Sequence, residues 1–316
     1  MNRTDRFRGR VGFAVGTGRC GTKFMAQVIG MEPRVASSHE RNILNESFHR
    51  YCKWYGLPVD HEGFLQAKEA EIREDLQEHV FSFEASAQLS SSIHELYERF
   101  GARFVLLARS PDRVVNSFMR KTVYEKPFVC GNPHLALGYQ PCEDFHHFLG
   151  RIAPVGETFE PWNEMTRVGK LAWYWNAVHA DIFEQMENIP EAHRRVERIE
   201  DLSFSRYLET ARFLGFKVTI GKQIYDDLVR RRPNALRDVP TVAAWTASEA
   251  AEFEAEVAPM AERLGYKYRV ERILSRQERR AGERSGKNPP EIGARENPSM
   301  SSRHWWQRIL LRLRTP

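Results

Sequence analysis

The chain has 316 residues, 41% hydrophobic and 28% charged, with four cysteines and a net charge of +5. That is enough apolar material for a buried core, but there is no run of about eighteen apolar residues to span a membrane. There is also no disulfide framework, and no secretory leader in MNRTDRFRGR, so a cytoplasmic location is expected. The charge is uneven: residues 271–316 hold eleven Arg/Lys against five Glu. The basic balance therefore belongs to the tail, and no nucleic-acid partner is expected for the body.

In chain order, Val11–Val15 is a short apolar strand ending at Gly16, and helical periodicity runs from Thr22 to about Ile29. A second strand fits Arg34–Ser37. The polar, aromatic stretch Asn42–Glu78 reads as helical, Val80–Phe83 as a third strand and Ser90–Phe100 as a helix. Arg103–Ala108 is the clearest central strand. A helix from Pro111 to about Lys121 follows, with proline in the first turn where it is tolerated. Thr122–Met165, rich in Pro, Gly, His and aromatics, reads as an irregular insertion near the active face. Thr166–Glu187 is helical, Arg195–Ile199 a strand, and Glu200–Leu214 and Ser248–Leu264 helices. This alternation predicts an α/β fold, a three-layer α/β/α arrangement with a central parallel sheet.

The main domain is expected over residues 1–270, followed by a linker over 271–300, whose polar stretch Gln277–Met300 predicts disorder. A basic amphipathic helix is expected over 301–316. In RHWWQRILLRLR, Trp305, Ile309 and Leu313 share one face, with Trp306 and Leu310 beside them. Residues 303–314 either lie on an anionic membrane surface, such as the inner membrane face, or dock on protein. Oligomeric state is not legible.

The strongest local signal is VGFAVGTGRCGTKF, a strand running into a glycine-rich turn and then a helix. Such a turn aims successive backbone N–H groups and the helix dipole at one anion. Arg19, Thr22 and Lys23 add donors. Gly16, Gly18 and Gly21 fit the dinucleotide spacing, with Glu40 where a ribose-binding acid would stand. The order Thr22-Lys23 misses the Lys-Ser/Thr of a Walker loop. Ala26 stands where a phosphatase loop built on Cys20 would need arginine.

A second signal is FVLLARSPDRVVNSFMR. It places Arg109 at the carboxyl end of a buried strand and Ser117 on the next helix, as a planar donor fork and a hydroxyl for a further phosphate. Together the two segments resemble the PAPS-dependent sulfotransferases, which use 3′-phosphoadenosine-5′-phosphosulfate (PAPS). TGRCGTKF resembles the family's loop for the 5′-phosphosulfate, and ARSPDRVVNSF its Arg-x-Pro segment and serine for the 3′-phosphate. LAWYWNAVHADI, VERIEDLSFSRYLETARFLGF and FEAEVAPMAERLGY resemble, in the right order, its tryptophan-bearing helix, its strand-Glu-Asp-Leu-helix segment and its closing helix.

The resemblance implies a P-loop NTPase-like fold and sulfuryl transfer from PAPS to a hydroxyl or amine. It also implies co-substrate binding by Gly18, Arg19, Cys20, Gly21, Thr22, Lys23, Arg109 and Ser117. Arg19 stands where many members carry lysine, Lys23 where a second threonine is common, and the Arg-Lys-Gly loop of the animal cytosolic branch is missing. The likeness is thus to bacterial or carbohydrate- and protein-directed members.

Sulfuryl transfer needs preorganised positive charge on the leaving phosphate, here from Arg19, and a base for the acceptor. Glu40 is the first candidate base, His39 the second and Glu84 a third. His134, His146 and His147 lack metal spacing, so no metal is expected. The expected partner is a small-molecule, glycan or lipid acceptor. Two other readings stand beside this one: a P-loop small-molecule kinase, and a non-catalytic nucleotide- or membrane-binding protein of the same fold.

Overall fold

The computed structural model describes residues 6–121, 123–125, 152–231, 236 and 238–285. Its strands are β1 (Val11–Val15), β2 (Val35–His39), β3 (Phe81–Ala85), β4 (Arg103–Ala108) and β5 (Arg194–Arg198). They form a five-stranded sheet in the order β2-β3-β1-β4-β5, with every neighbouring pair parallel. Because side chains alternate along a strand, β1 and β4 feed two separate cores. Val11, Phe13, Val15, Phe104, Leu106 and Ala108 face one; Ala14, Val105 and Leu107 face the other. Phe13 and Phe104 stack on adjacent strands with ring centroids 5.6 Å apart.

The first core is closed by α3 (His61–Glu78), α4 (Ile93–Phe100), α7 (Arg167–Glu187) and α10 (Ala247–Arg263). The second is closed by α1 (Thr22–Ile29), α8 (Phe204–Leu214) and α9 (Lys222–Arg231). The α/β/α layering expected of the sequence is therefore what the chain adopts. Helix α7 starts where Thr166 Oγ1 accepts the Gly169 N–H at 3.1 Å, and α10 starts with a capping box between Thr246 and Glu249. Each such side chain satisfies an N–H that the first helical turn leaves unpaired.

Several boundaries differ from the sequence reading. Asn42–Glu78 is two helices, α2 (Ile43–Trp54) and α3, the latter capped by Asp60. The segment beginning at Ser90 splits into a 3-10 turn, Gln88–Ser91, followed by α4. Helix α5 (Pro111–Phe118) ends sooner than expected, because the Arg167 guanidinium takes the Phe118, Met119, Lys121 and Val123 carbonyls. Helix α9 was not anticipated. The later part of the insertion is ordered into α6 (Phe159–Glu164), which buries Trp162; residues 126–151 lie outside the described residues.

The chain divides into two units, Met1–Leu274 and Ser275–Pro316. The helix α11 (Val270–Ser285) is a correction to the expected linker, since Gln277–Ser285 is helical. The basic helix expected over 303–314 falls outside the described residues. Among the described residues no helix is long and apolar enough to cross a membrane.

Candidate active site

In this sheet the strand order reverses beside β1, between β3 and β4, and ligands of open α/β sheets bind at the carboxyl edge of that point. The glycine turn leaves β1 there. Two of its glycines are sterically required. A Cβ on Gly16 would stand 2.6 Å from both the Cys20 Sγ and the Leu107 carbonyl oxygen. A Cβ on Gly21, whose φ is +105°, would meet the Ile199 Cδ1 at 2.5 Å. Arg19 also sits in the left-handed region, at φ 56°. A non-glycine residue held there costs of order 1–3 kcal/mol, so the surroundings must impose it.

Those surroundings are the second half of the site. The Arg109 Nη1 donates to the Arg19 carbonyl oxygen at 2.8 Å, and the Arg19 Nε donates to the Ser117 Oγ at 2.8 Å. The structure thus brings together the loop and the two residues that the sequence places far away. Burial first, and then the Arg109 charge, lower the Arg19 pKa; burial and then Arg113 lower that of Arg109. Lys121 is lowered by burial and by Arg19, which puts another cation at the same edge. Among the described residues Arg109 makes no ion pair with a carboxylate. Glu200, the acid that acts on it most strongly, accepts instead from the Ser110 N–H and the Tyr266 hydroxyl, each at 3.0 Å.

Cys20 is fully buried and its thiol is pushed up to about 11 by that burial, which suits a packing role in the turn. Lys23 is exposed on the first turn of α1. The Thr22 Oγ1 is 3.1 Å from the His39 Nε2.

Helix α7 pins both halves of the site from behind. The Tyr174 hydroxyl donates to the Thr17 carbonyl at 3.1 Å, and the Trp175 Nε1 donates to the Arg109 carbonyl at 3.0 Å. Sequence reasoning singled out neither residue for this role. The only available signal was the tryptophan in LAWYWNAVHADI.

The candidate bases separate clearly. Glu40 follows β2 at φ 50°. Burial, reinforced by the Glu46 carboxylate, pushes its carboxyl up to about 7, against the pull of Arg50, Arg19 and Lys23. His39 is held down to about 4 by burial and by Lys23, so it is neutral near pH 7 and only weakly basic. Glu84 is engaged elsewhere: its carboxylate accepts from the Lys68 Nζ at 2.8 Å and from the Arg41 N–H at 2.9 Å. Lys68 also donates to Glu46 at 2.5 Å, and Glu46 takes the Ser86 hydroxyl at 2.6 Å. Lys68 holds Glu46 low, while burial and the Glu46 charge push Glu84 up. Together with the Glu40 N–H bond to the Ala85 carbonyl at 3.2 Å, this buried network holds the turn on which Glu40 stands.

No protein-family model matches the sequence, and no curated protein does. Solved structures do match. The sulfotransferase STF9 from Mycobacterium avium superposes with a TM-score of 0.52 at 9% identity, over 82% of this chain and 78% of that one. This chain has a sulfotransferase-like fold. The sulfotransferase domains of the Synechococcus PCC 7002 olefin synthase and of the curacin biosynthetic pathway are more distant in shape, with TM-scores of 0.43 and 0.46. Each is 12% identical; the alignments cover 84% and 82% of this chain and 98% of each domain.

The residues present suit a nucleotide with phosphates at both ends. The glycine turn tolerates no side chain at Gly16 or Gly21. The cations Arg19, Arg109 and Lys121 gather at one edge, and the Arg109 guanidinium has no carboxylate of its own among the described residues.

Proposed function

We propose that this protein is a sulfotransferase that moves a sulfuryl group from PAPS to an acceptor hydroxyl or amine. One observation carries the reading: the hydrogen-bonded chain Arg109–Arg19–Ser117, which joins the glycine turn to a second anion grip at the end of β4. A kinase-type loop needs only the first grip; a donor phosphorylated at its 3′ position needs both.

When bound, PAPS supplies the activated sulfuryl group. The loop N–H groups and Arg19 hold the negative charge that grows on the departing 5′-phosphate, and Arg109 and Ser117 take the 3′-phosphate. Glu40, whose carboxyl burial pushes up to about 7, accepts the acceptor's proton. His39, with a much lower proton affinity, serves instead to orient Thr22. Fixed charge in a partly buried site stabilises such a transition state without reorganisation.

The test is calorimetric titration with 3′-phosphoadenosine-5′-phosphate (PAP) beside adenosine 5′-monophosphate. Submillimolar binding of PAP and much weaker binding of the monophosphate are expected. Equal affinities would sink the second grip and the donor assignment with it.

A further inference from the structure

Arg50, on α2, is 1% exposed, and its pull on the Glu40 carboxyl is the only part it has played so far. A buried guanidinium stays charged at any physiological pH, and a charge taken out of water normally needs a hydrogen-bonded counter-charge. Among the described residues Arg50 has no bonded counter-charge. Only its Nη1 is engaged, at 3.4 Å to the Ala87 carbonyl and 3.4 Å to the Tyr174 hydroxyl, both neutral and both long. Among the described residues its Nε and Nη2 meet no acceptor. These two N–H groups form one edge of the guanidinium fork, the edge that takes an oxyanion through two parallel bonds.

The neighbouring acids do not fill it. Glu46 and Glu84 are engaged by Lys68, and no ion pair between Glu40 and Arg50 is formed among the described residues.

The position is specific. Tyr174, which Arg50 touches, donates to the Thr17 carbonyl of the glycine turn, and Ala87 lies against Gly18 of the same turn, 3.6 Å from where a Cβ would stand. Arg50 therefore borders the turn from the β3 side of β1, whereas Arg109 and Ser117 border it from the β4 side. The β3 side is also that of Glu40, whose carboxyl feels Arg50 more strongly than Arg19. The donor's 5′ grip is the glycine turn itself, and its 3′ grip lies on the β4 side.

We propose that Arg50 is an acceptor-binding residue, holding a carboxylate, phosphate or sulfate that the acceptor carries near the hydroxyl or amine it presents to Glu40. This rests on the sulfotransferase reading and narrows the acceptor to an anionic one.

The test uses selenate, whose anomalous scattering locates it, and sulfate in solution. Crystals of the full chain with PAP, soaked in selenate, should show an anomalous peak within hydrogen-bonding distance of the Arg50 Nε and Nη2. No peak there overturns the proposal. In solution, sulfate binding to the PAP-loaded protein should weaken at least tenfold in Arg50→Gln, with PAP affinity kept within about twofold.

Loading with PAPS instead of PAP separates two sources of the anion. An acceptor site keeps its sulfate affinity, whereas loss of binding would mean that Arg50 holds the donor's own sulfuryl group, which also overturns the proposal. Should Arg50→Gln not fold, the selenate experiment on the unaltered protein decides. Should PAP not bind at all, the donor reading fails by itself, and the selenate peak at Arg50 is then sought in ligand-free crystals.

Discussion

Two clusters of charge lie on either side of β1, and they are built differently. The cluster of Lys68, Glu46 and Glu84 is closed: one buried ammonium is shared by carboxylates, whose remaining lone pairs go to Ser86 and to the Arg41 N–H. The cluster at the glycine turn is made of cations. Arg19, Arg109 and Lys121 gather at one edge, where Arg109 donates to the Arg19 carbonyl and Arg19 to the Ser117 hydroxyl, and burial first, then neighbouring positive charge, lowers their pKa values. A closed cluster pairs its cation internally and holds a backbone in place. Cations gathered at one sheet edge instead suit the anionic donor proposed above.

The comparison can be broken at its point of contact, Glu40, which stands on the closed cluster and is the base proposed for the reaction at the glycine turn. Glu40→Gln removes the proton acceptor, so turnover should fall roughly 10²–10⁴-fold, with PAP affinity nearly unchanged. In the unaltered protein the rate should climb as pH rises through about 7, because the base works only when deprotonated. A flat profile from pH 6 to 8, or normal turnover by the glutamine variant, would remove Glu40 from the mechanism.

Next in size is Lys68→Met, which leaves two buried carboxylates without their cation and should cost about 3–5 kcal/mol of folding stability. Denaturant unfolding measures it; a loss under about 1 kcal/mol would mean that the closed cluster is not a brace. Arg109→Ala strikes the cation cluster. It should weaken PAP binding by about 2–3 kcal/mol, roughly 30- to 150-fold, while leaving stability within about 1 kcal/mol. If both Lys68→Met and Arg109→Ala changed stability alone, the distinction between brace and site would collapse.

The smallest effect is expected far from both clusters. Thr246→Ala removes the capping box of α10 and should lower stability by about 1 kcal/mol without touching nucleotide affinity. It calibrates how a purely structural lesion looks in the same assays.

Much of this organisation was legible in the residues. The apolar run RFVLLA, the strand-to-glycine turn at Val15–Gly16 and the proline opening α5 each identify their element by local pattern, and the structure places all of them as read. The end of α5 was not legible, because Arg167, distant in sequence, takes the carbonyls that would have continued it. Nor was the split of Asn42–Glu78, where polar residues such as Glu46 and Lys68 are buried as partners and blur the amphipathic pattern that periodicity depends on.

The same limit applies at the site. Arg19, Arg109 and Ser117 could be singled out because residue type and spacing describe a donor set. Tyr174, Trp175, Lys121 and Arg50 could not, since each matters through a neighbour from another part of the chain. Glu40 and Glu84 are alike as letters, each just after or at the end of a strand. Only the fold, by giving one of them to Lys68 and leaving the other facing the turn, made them different.

The amino-acid order alone determined the alternating α/β pattern and the glycine turn, because strand periodicity and glycine requirements act over a few neighbouring residues. Tertiary structure decided which acids are bound to Lys68 and which cations gather at the glycine turn. Burial and pairing depend on groups brought together from distant parts of the chain, and electrostatic energy is set by those distances and by the exclusion of water.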